Sequence, residues 1–336
     1  MLRRRTLLLV LLICFVFSAN LYAGGLDVIE LKLGHILSST DPLNAGLVKF
    51  AELVEEKTNG SVKIKIFPAS QLGTAIPQID GVTLGSQEIF VGAISWGENF
   101  AGLESFKIIG IPNAFDDNEH LERFMDSKIG KQLILTWKEK YNLEYIAYNW
   151  HRPPRQVLSD RKVTNRKELA GLKIRVPEAV IWVRSWNTLG AHATPVAWGE
   201  VYTSLQQGVI NAVEAPISLI YSSKFQERVK FLTLTNHVYN NVGLLINSTV
   251  FNSLSEEQKV ALREAANEAG LYQNKLYAEA EISNLEKMKE EGVEVYELSD
   301  EERALFFEPL EKFAKEMEEI GEWPEGTWDF IRSLSE

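Results

Sequence analysis

From Val28 onward the chain alternates short stretches of period-2 hydrophobicity with stretches of helical spacing. "VIELKLGH" (28–35) reads as a strand, and "SVKIKIF" (61–67) alternates Val62, Ile64 and Ile66 with lysines, as a strand with one wet face does. Between them Asp41-Pro42 offers an N-cap and a proline for the first helical position. Leu47, Phe50, Ala51 and Val54 follow at helical spacing, and Gly60 ends the segment. A helix near 75–84 and a buried strand at 88–95 continue the alternation. The next helix is predicted over 129–140 and the next strand over 143–149. "GLKIRV" (171–176) is a further strand, stopped by Pro177, which has no N–H to donate. Two helices closed by Gly190 and Gly208 come next, then strands at 209–215, 229–235 and 241–248. Such alternation marks α/β architecture.

The character changes at Ser255, where "SEEQ" is a capping box opening an almost unbroken helical pattern that Gly292 ends. A helix of roughly 35 residues spans about 50 Å, more than one small lobe can cover, so it is expected to bend or to bridge two lobes. "SDEE" (299–302) caps a last amphipathic helix to about Ile320, and the remaining tail is short and mixed. No internal repeat and no Gly/Ser linker interrupts the chain. Two lobes, if present, are therefore joined by ordinary strands and helices, as in a hinged cleft. The expected division is a first lobe from 24–152 plus about 241–280 and a second from 153–240 plus about 281–336.

The amino terminus reads as a secretory signal peptide over residues 1–23: Arg3, Arg4 and Arg5, an apolar run from about Leu7 to Phe17, and cleavage before Gly24. That run is far short of the ~20 residues a spanning helix needs, so an uncleaved anchor is the weaker reading. Cys14 is the only cysteine and lies inside the run after Ile13, where a lipid-modified cysteine would follow a small residue. The mature chain then has no possible disulfide and depends on an ordinary core. A soluble periplasmic product is expected. The formal charge is −11, from 35 basic and 46 acidic residues, and it becomes more negative once the three leader arginines are removed. This balance argues against nucleic acid or an anionic membrane surface as a partner. An anionic small ligand must instead be captured by a few desolvated arginines.

The five histidines, His35, His120, His151, His192 and His237, lack metal-ligand spacing, and no cysteine is available to complete a zinc site. There is no G-x-S-x-G elbow, no P-loop and no G-x-G-x-x-G. Neither a cofactor nor a metal is expected. The positive signal is arginine among aromatics at strand ends. "ISWGENF" offers Ser95 and Trp96; "YNWHRPPRQVLSDR" offers Trp150 and Arg155; "KIRVPE" offers Arg175 and Glu178; "TPVAWGEVY" offers Trp198. His35 and Glu214 are further candidates for the ligand site. The carboxyl edge of an open α/β sheet is where ligands bind, and a crevice there would gather these groups. Guanidinium matches a carboxylate with two parallel donors and stays protonated when water is excluded.

With these residues assembled, the chain resembles the extracytoplasmic solute receptors of tripartite ATP-independent periplasmic (TRAP) transporters, of the dicarboxylate-receptor type. The similarity runs from about Leu31 to Leu310 through "FAELVEEKTNG" and "FPASQLG", "LAGLKIRVP", "LGAHATPVAWGEVYTSLQQGVINAVEAP" and "KFQERVKFLTLTNH". The resemblance implies two α/β lobes closing on an organic acid, a long helix running along both, and delivery to small and large membrane permease subunits. It assigns Arg175 to the ligand carboxylate as a bidentate partner, Arg155 as a second arginine, and Trp198 as an aromatic beside the ligand. Two departures are visible: Ala215 stands where members often carry asparagine, and "HRPP" adds residues before Arg155. Sialic acid, C4-dicarboxylates, sugar acids and hydroxy or keto acids all stay open, with Trp96, Trp150 and Glu178 favouring a hydroxylated ligand. The alternatives are an exported α/β enzyme using Glu178 or Glu214 as base, and an ABC-type receptor of the same two-lobed plan, against which the four ordered motifs speak.

Overall fold

A computed structural model describes residues 28–335 and shows two mixed sheets, each flanked by helices. The leader, with its cleavage site and Cys14, lies outside the described residues. The first sheet is built from β1 (Ile29–His35), β2 (Val62–Phe67), β3 (Ile89–Ala93), β4 (Leu143–Trp150) and β10 (Val242–Asn247), in the order β2-β1-β3-β10-β4. Its first three strands are parallel, and β10 runs antiparallel to both β3 and β4. The second sheet contains β5 (Gln156–Ser159), β6 (Lys173–Val176), β7 (His192–Pro195), β8 (Ala212–Ala215), β9 (Phe231–Leu234) and β11 (Glu294–Glu297), in the order β11-β9-β5-β8-β6-β7. The chain therefore leaves the first sheet after Trp150 and returns to it at Val242.

The long helix is a single span from Glu256 to Glu290, opened by the Ser255–Gln258 capping box. It packs on the helix Pro42–Lys57, on β4 and on the short helix Ile217–Ser222, and so bridges the two sheets. Close approach depends on a missing side chain: a Cβ at Gly270 would lie 2.7 Å from the Trp150 indole. The indole N–H of Trp150 donates to the carbonyl of Ala266, one turn earlier on the same helix, at 2.9 Å. Trp150 is thus a core residue that fastens β4 to the long helix.

The predicted strands and helices up to 95 and from 129 to 149 all form, and four differences in extent or number stand out along the chain. Strand β3 ends at Ala93 and the chain continues as a 3-10 helix, Ile94–Asn99. The last amphipathic helix is two, Asp300–Phe307 and Pro309–Glu319, because Pro309 lacks the N–H that would continue the first. Strands β7 and β11 escape periodicity, since each is four residues with no buried member. The mixed tail contains a helix, Thr327–Ser333. This tail touches both halves: the helix Pro309–Glu319 packs on Val180–Leu189, while His120 Nε2 bonds the Ile331 carbonyl at 2.8 Å. No helix among the described residues is long and apolar enough to cross a membrane.

Because Trp150 is fully buried between strand and long helix, Trp150→Ala is expected to cost about 3–5 kcal/mol in urea unfolding followed by far-ultraviolet circular dichroism. A loss below about 1 kcal/mol would mean that the ring does not fasten the two elements.

Candidate functional site

Strand ends of both sheets converge on one cavity. Ile36 and Leu37 enter after β1, Ser95 and Trp96 after β3, and Asn240 just before β10. The crossing between the sheets contributes Arg152 and Arg155. The second half contributes Arg175 from β6, with Trp182 and Trp198. The site is therefore a seam between the sheets, with aromatic faces and cationic heads alternating along it.

Arg175 sits in the interior of the second sheet, its backbone in register with Thr194 of β7 and Val213 of β8. Its side chain is only 3% exposed. Its Nε–H donates to the Val196 carbonyl at 2.9 Å, and the guanidinium carbon lies 5.2 Å from the Trp198 ring centroid. Anchoring Nε fixes the plane of the fork, and the indole covers one face, leaving the two terminal nitrogens as the free edge. Burial pulls its pKa down to about 9, which still leaves it cationic at neutral pH. Among the described residues no carboxylate lies within ion-pair distance of Arg175.

Arg155 is differently committed. Its Nε and one terminal nitrogen grip the two carboxylate oxygens of Glu214, the second bond measuring 2.7 Å, and the same nitrogen donates to the Glu214 carbonyl at 2.6 Å. Trp182 stacks over the guanidinium, 5.0 Å from its carbon. Burial works against the Glu214 carboxylate, but Arg155 and the His237 imidazole outweigh it and hold its pKa below the ordinary range. His237 Nε2 lies 3.2 Å from Glu214, and its Nδ1 lies 2.8 Å from the Thr235 hydroxyl. Glu214 is thus the buried counter-ion of Arg155, and it does not line the cavity.

Of the nine residues singled out from sequence, Arg175, Arg155, Trp198, Trp96 and Ser95 line the cavity. His35, Trp150, Glu178 and Glu214 do not. His35 is buried behind the wall, its Nε2 3.1 Å from Asn44 Oδ1, and burial lowers its pKa to about 4. Trp150 holds the long helix. Glu178 is exposed beyond Pro177. Sequence reasoning missed Trp182, Asn240 and Arg152. Trp182 sits at helical spacing and reads as core, and Asn240 lies in a loop without pattern. Arg152 did carry a signal: in "RPPR" two prolines favour polyproline II, whose three-residue repeat puts the first and fourth residues on one side. Among the described residues no cluster of three or more His, Cys, Asp or Glu side chains could hold a metal.

Comparisons with known proteins identify relatives of this chain. The family model described as bacterial extracellular solute-binding protein, family 7, matches residues 33–320. The 2,3-diketo-L-gulonate-binding periplasmic protein YiaO of Escherichia coli K12 is 36% identical over 309 residues, covering 91% of this chain and 92% of that protein. A TRAP periplasmic solute-binding protein from Roseobacter denitrificans OCh 114, solved with bound L-galactonate, is 30% identical with a TM-score of 0.81, covering 92% of this chain and 99% of that one. The sugar acid binding protein DctPAm of Advenella mimigardefordensis, solved with galactonate, reaches a TM-score of 0.85 at 26% identity, again covering 92% and 99%.

One further contact crosses the seam. Glu98, at the end of the 3-10 helix after β3, accepts the Ile181 N–H at 3.1 Å, in the first turn of the helix Val180–Leu189. Burial raises its pKa to about 7, against the ordinary 4.5. A raised carboxyl pKa means that the folded state holds the proton more tightly than the unfolded one. Stability is therefore lost as pH climbs from about 4.5 to about 7 and is level above that. Glu98→Gln keeps the acceptor and removes the charge. In urea unfolding it is expected to be more stable than the parent at pH 8, on the order of 1–2 kcal/mol, with the difference vanishing towards pH 4.5. Equal stabilities at pH 8 would mean that Glu98 ionises without cost.

Proposed function

The chain belongs to the bacterial extracellular solute-binding protein family 7, and on that premise we propose that its cargo is a hydroxylated or keto sugar acid held by Arg175. It is a solute receptor that binds an organic acid between two lobes and hands it to a TRAP permease. The periplasm is the compartment that such a role requires, with residues 1–23 acting as the export signal. The lobes correspond to 24–152 with about 241–280, and to 153–240 with about 281–336.

The observation that carries the carboxylate reading is the Arg175 fork, fixed at Nε, covered by Trp198, buried, and without a contacting carboxylate among the described residues, Glu214 and Glu178 acting on it only from a distance. A buried cation without a counter-ion is costly, and an incoming carboxylate supplies what the fold withholds. Arg155, already neutralised by Glu214, contributes shape and secondary dipoles rather than a second full charge. The apolar faces of Trp96, Trp182 and Trp198 suit the carbon skeleton of a sugar acid. The names of the relatives support the same class: diketo-gulonate for the E. coli protein, and galactonates in the two solved structures.

Binding acts by closure. Contacts made to both sides of the seam exist together only when the lobes are shut, so ligand shifts the open–closed balance by its differential affinity for the closed form. An enzyme reading would need a base at the cavity wall, and neither Glu178 nor Glu214 lines it.

The test is a thermal melt of the chain from Gly24 against sugar acids, dicarboxylates, hydroxy and keto acids, and matched neutral sugars. A ligand at ~100 times its dissociation constant adds ~2.7 kcal/mol to the folded state, enough to move the midpoint visibly. Shifts are expected from sugar acids. Arg175→Met is expected to weaken the best of them by about 2–5 kcal/mol in titration calorimetry. Shifts from neutral sugars alone, or an unchanged affinity in Arg175→Met, would overturn the carboxylate assignment.

A further inference from the structure

Three residues of the cavity wall carry polar groups that carboxylate capture does not explain. Asn240 is 4% exposed; its amide N–H donates to the Ser95 hydroxyl oxygen at 2.7 Å, and its Oδ1 has no partner. Ser95, having accepted that bond, keeps its own hydroxyl hydrogen free to donate. Arg152 is 7% exposed, and its Nε–H also has no partner. All three residues line the cavity that Arg175 faces. Polar groups buried this deeply are paired in folded proteins, and groups left unpaired call for an explanation.

The free groups have a definite chemistry. Asn240 Oδ1 requires a donor and the Ser95 hydroxyl requires an acceptor. A ligand hydroxyl is both at once, whereas an ionised carboxylate only accepts and an alkyl group does neither. Arg152 asks for an additional oxygen acceptor. Asp41 and Tyr277 lie near enough to act on the Arg152 charge without an ion-pair contact among the described residues, so what Arg152 Nε lacks is an oxygen acceptor rather than a full counter-charge. Ser95 and Asn240 belong to the side of the first sheet, being joined through the Ile94 N–H to the Asn241 carbonyl at 3.0 Å, while Arg175 belongs to the second.

We propose that Asn240 and Arg152, with Ser95, are the specificity-determining residues of this receptor, selecting a polyhydroxylated monocarboxylate over a dicarboxylate by reading a hydroxyl and a further oxygen away from the carboxylate. The proposal rests on the carboxylate reading of Arg175 and adds to it a second pole. A second carboxylate brought to Asn240 Oδ1 would face an acceptor with an acceptor. An unhydroxylated chain would leave Asn240 Oδ1, the Ser95 hydroxyl and Arg152 Nε dry and unpaired. A site built to hydrogen-bond a hydroxyl rejects the analogue lacking it more strongly than a hydrophobic pocket rejects a misfit, for that reason.

Titration calorimetry at pH 7.5 with the unmodified protein tests this without any variant. Galactonate, gulonate and erythronate are compared with hexanoate, adipate and succinate. The tightest of the three hydroxylated acids is expected to bind at least tenfold better than all three unhydroxylated ones. Asn240→Leu and Arg152→Met, checked by their ligand-free melting midpoints, are each expected to weaken that hydroxylated acid by tenfold or more. Whatever binding adipate and hexanoate show should stay within twofold. Selection below tenfold in the unmodified protein overturns the proposal, as does tenfold-intact binding in both variants. If acids bind through Arg175 but without that selection, only this second pole fails; if no acid binds at all, the carboxylate reading falls with it.

Discussion

The buried charge balance of the seam constrains everything around it. Three arginines line one cavity, and among the described residues only one of them, Arg155, has a contacting carboxylate. Bringing a guanidinium out of water is costly, and the attraction of a buried partner offsets that only when the geometry is good and the remaining donors are used. Arg155 meets these conditions through Glu214, with His237 and Thr235 completing a chain of bonds behind it. Arg175 does not, and its lowered pKa registers the deficit. The surrounding sheet, Val196 and Trp198 hold the side chain in place. Recognition is consequently local. With a formal charge of −11 the protein as a whole does not attract an acid, and screening confines the influence of the cavity arginines to about a Debye length, some 8–10 Å.

The sheets place that charge where it can couple to motion. Because the chain leaves the first sheet after Trp150 and returns at Val242, the crossing segments sit side by side beneath the cavity, and the long helix lies across both halves. Arg175 is rooted in the second sheet, Ser95 and Asn240 in the first, and a ligand touching both ends spans the seam. Glu98 adds a protein-only contact across the same boundary. Its carboxyl reaches the N-terminal turn of the helix that also carries Trp182, where the helix dipole favours negative charge, yet burial is the larger effect and keeps its proton on near neutrality. Closure therefore has two components, one fixed in the protein and one delivered by the cargo.

How far the sequence reveals this depends on what each signal measures. Alternation in "GLKIRV" ended by Pro177 is a statement about a strand and its end, and Arg175 follows from it directly. The Ser255 capping box and Gly292 likewise bound the long helix, because caps act locally. Trp150 and His35 sit at strand ends as well, but a strand end says only that a residue is near the edge of the sheet, not which face it takes. Trp150 turned to the long helix and His35 to Asn44. Glu214 shows the same limit in another form: its position was legible, but its pairing with Arg155, 59 residues away, is a tertiary fact with no local trace. The four-residue strands β7 and β11 are held by their sheet neighbours rather than by their own pattern.

The two departures from the family pattern are best understood together. Ala215 is fully buried in the core and does not line the cavity, so losing a polar side chain there removes a contact without leaving a hole in the wall. The added prolines act in the opposite direction. Pro153 and Pro154 restrict the crossing segment to extended geometry, and a three-residue repeat carries Arg152 to the same side as Arg155. The backbone there has few alternative conformations to lose, which lowers the cost of ordering an arginine in a buried site. The crossing thus sets Arg152 and Arg155 together at the wall of the cavity, on the segment that joins the two sheets.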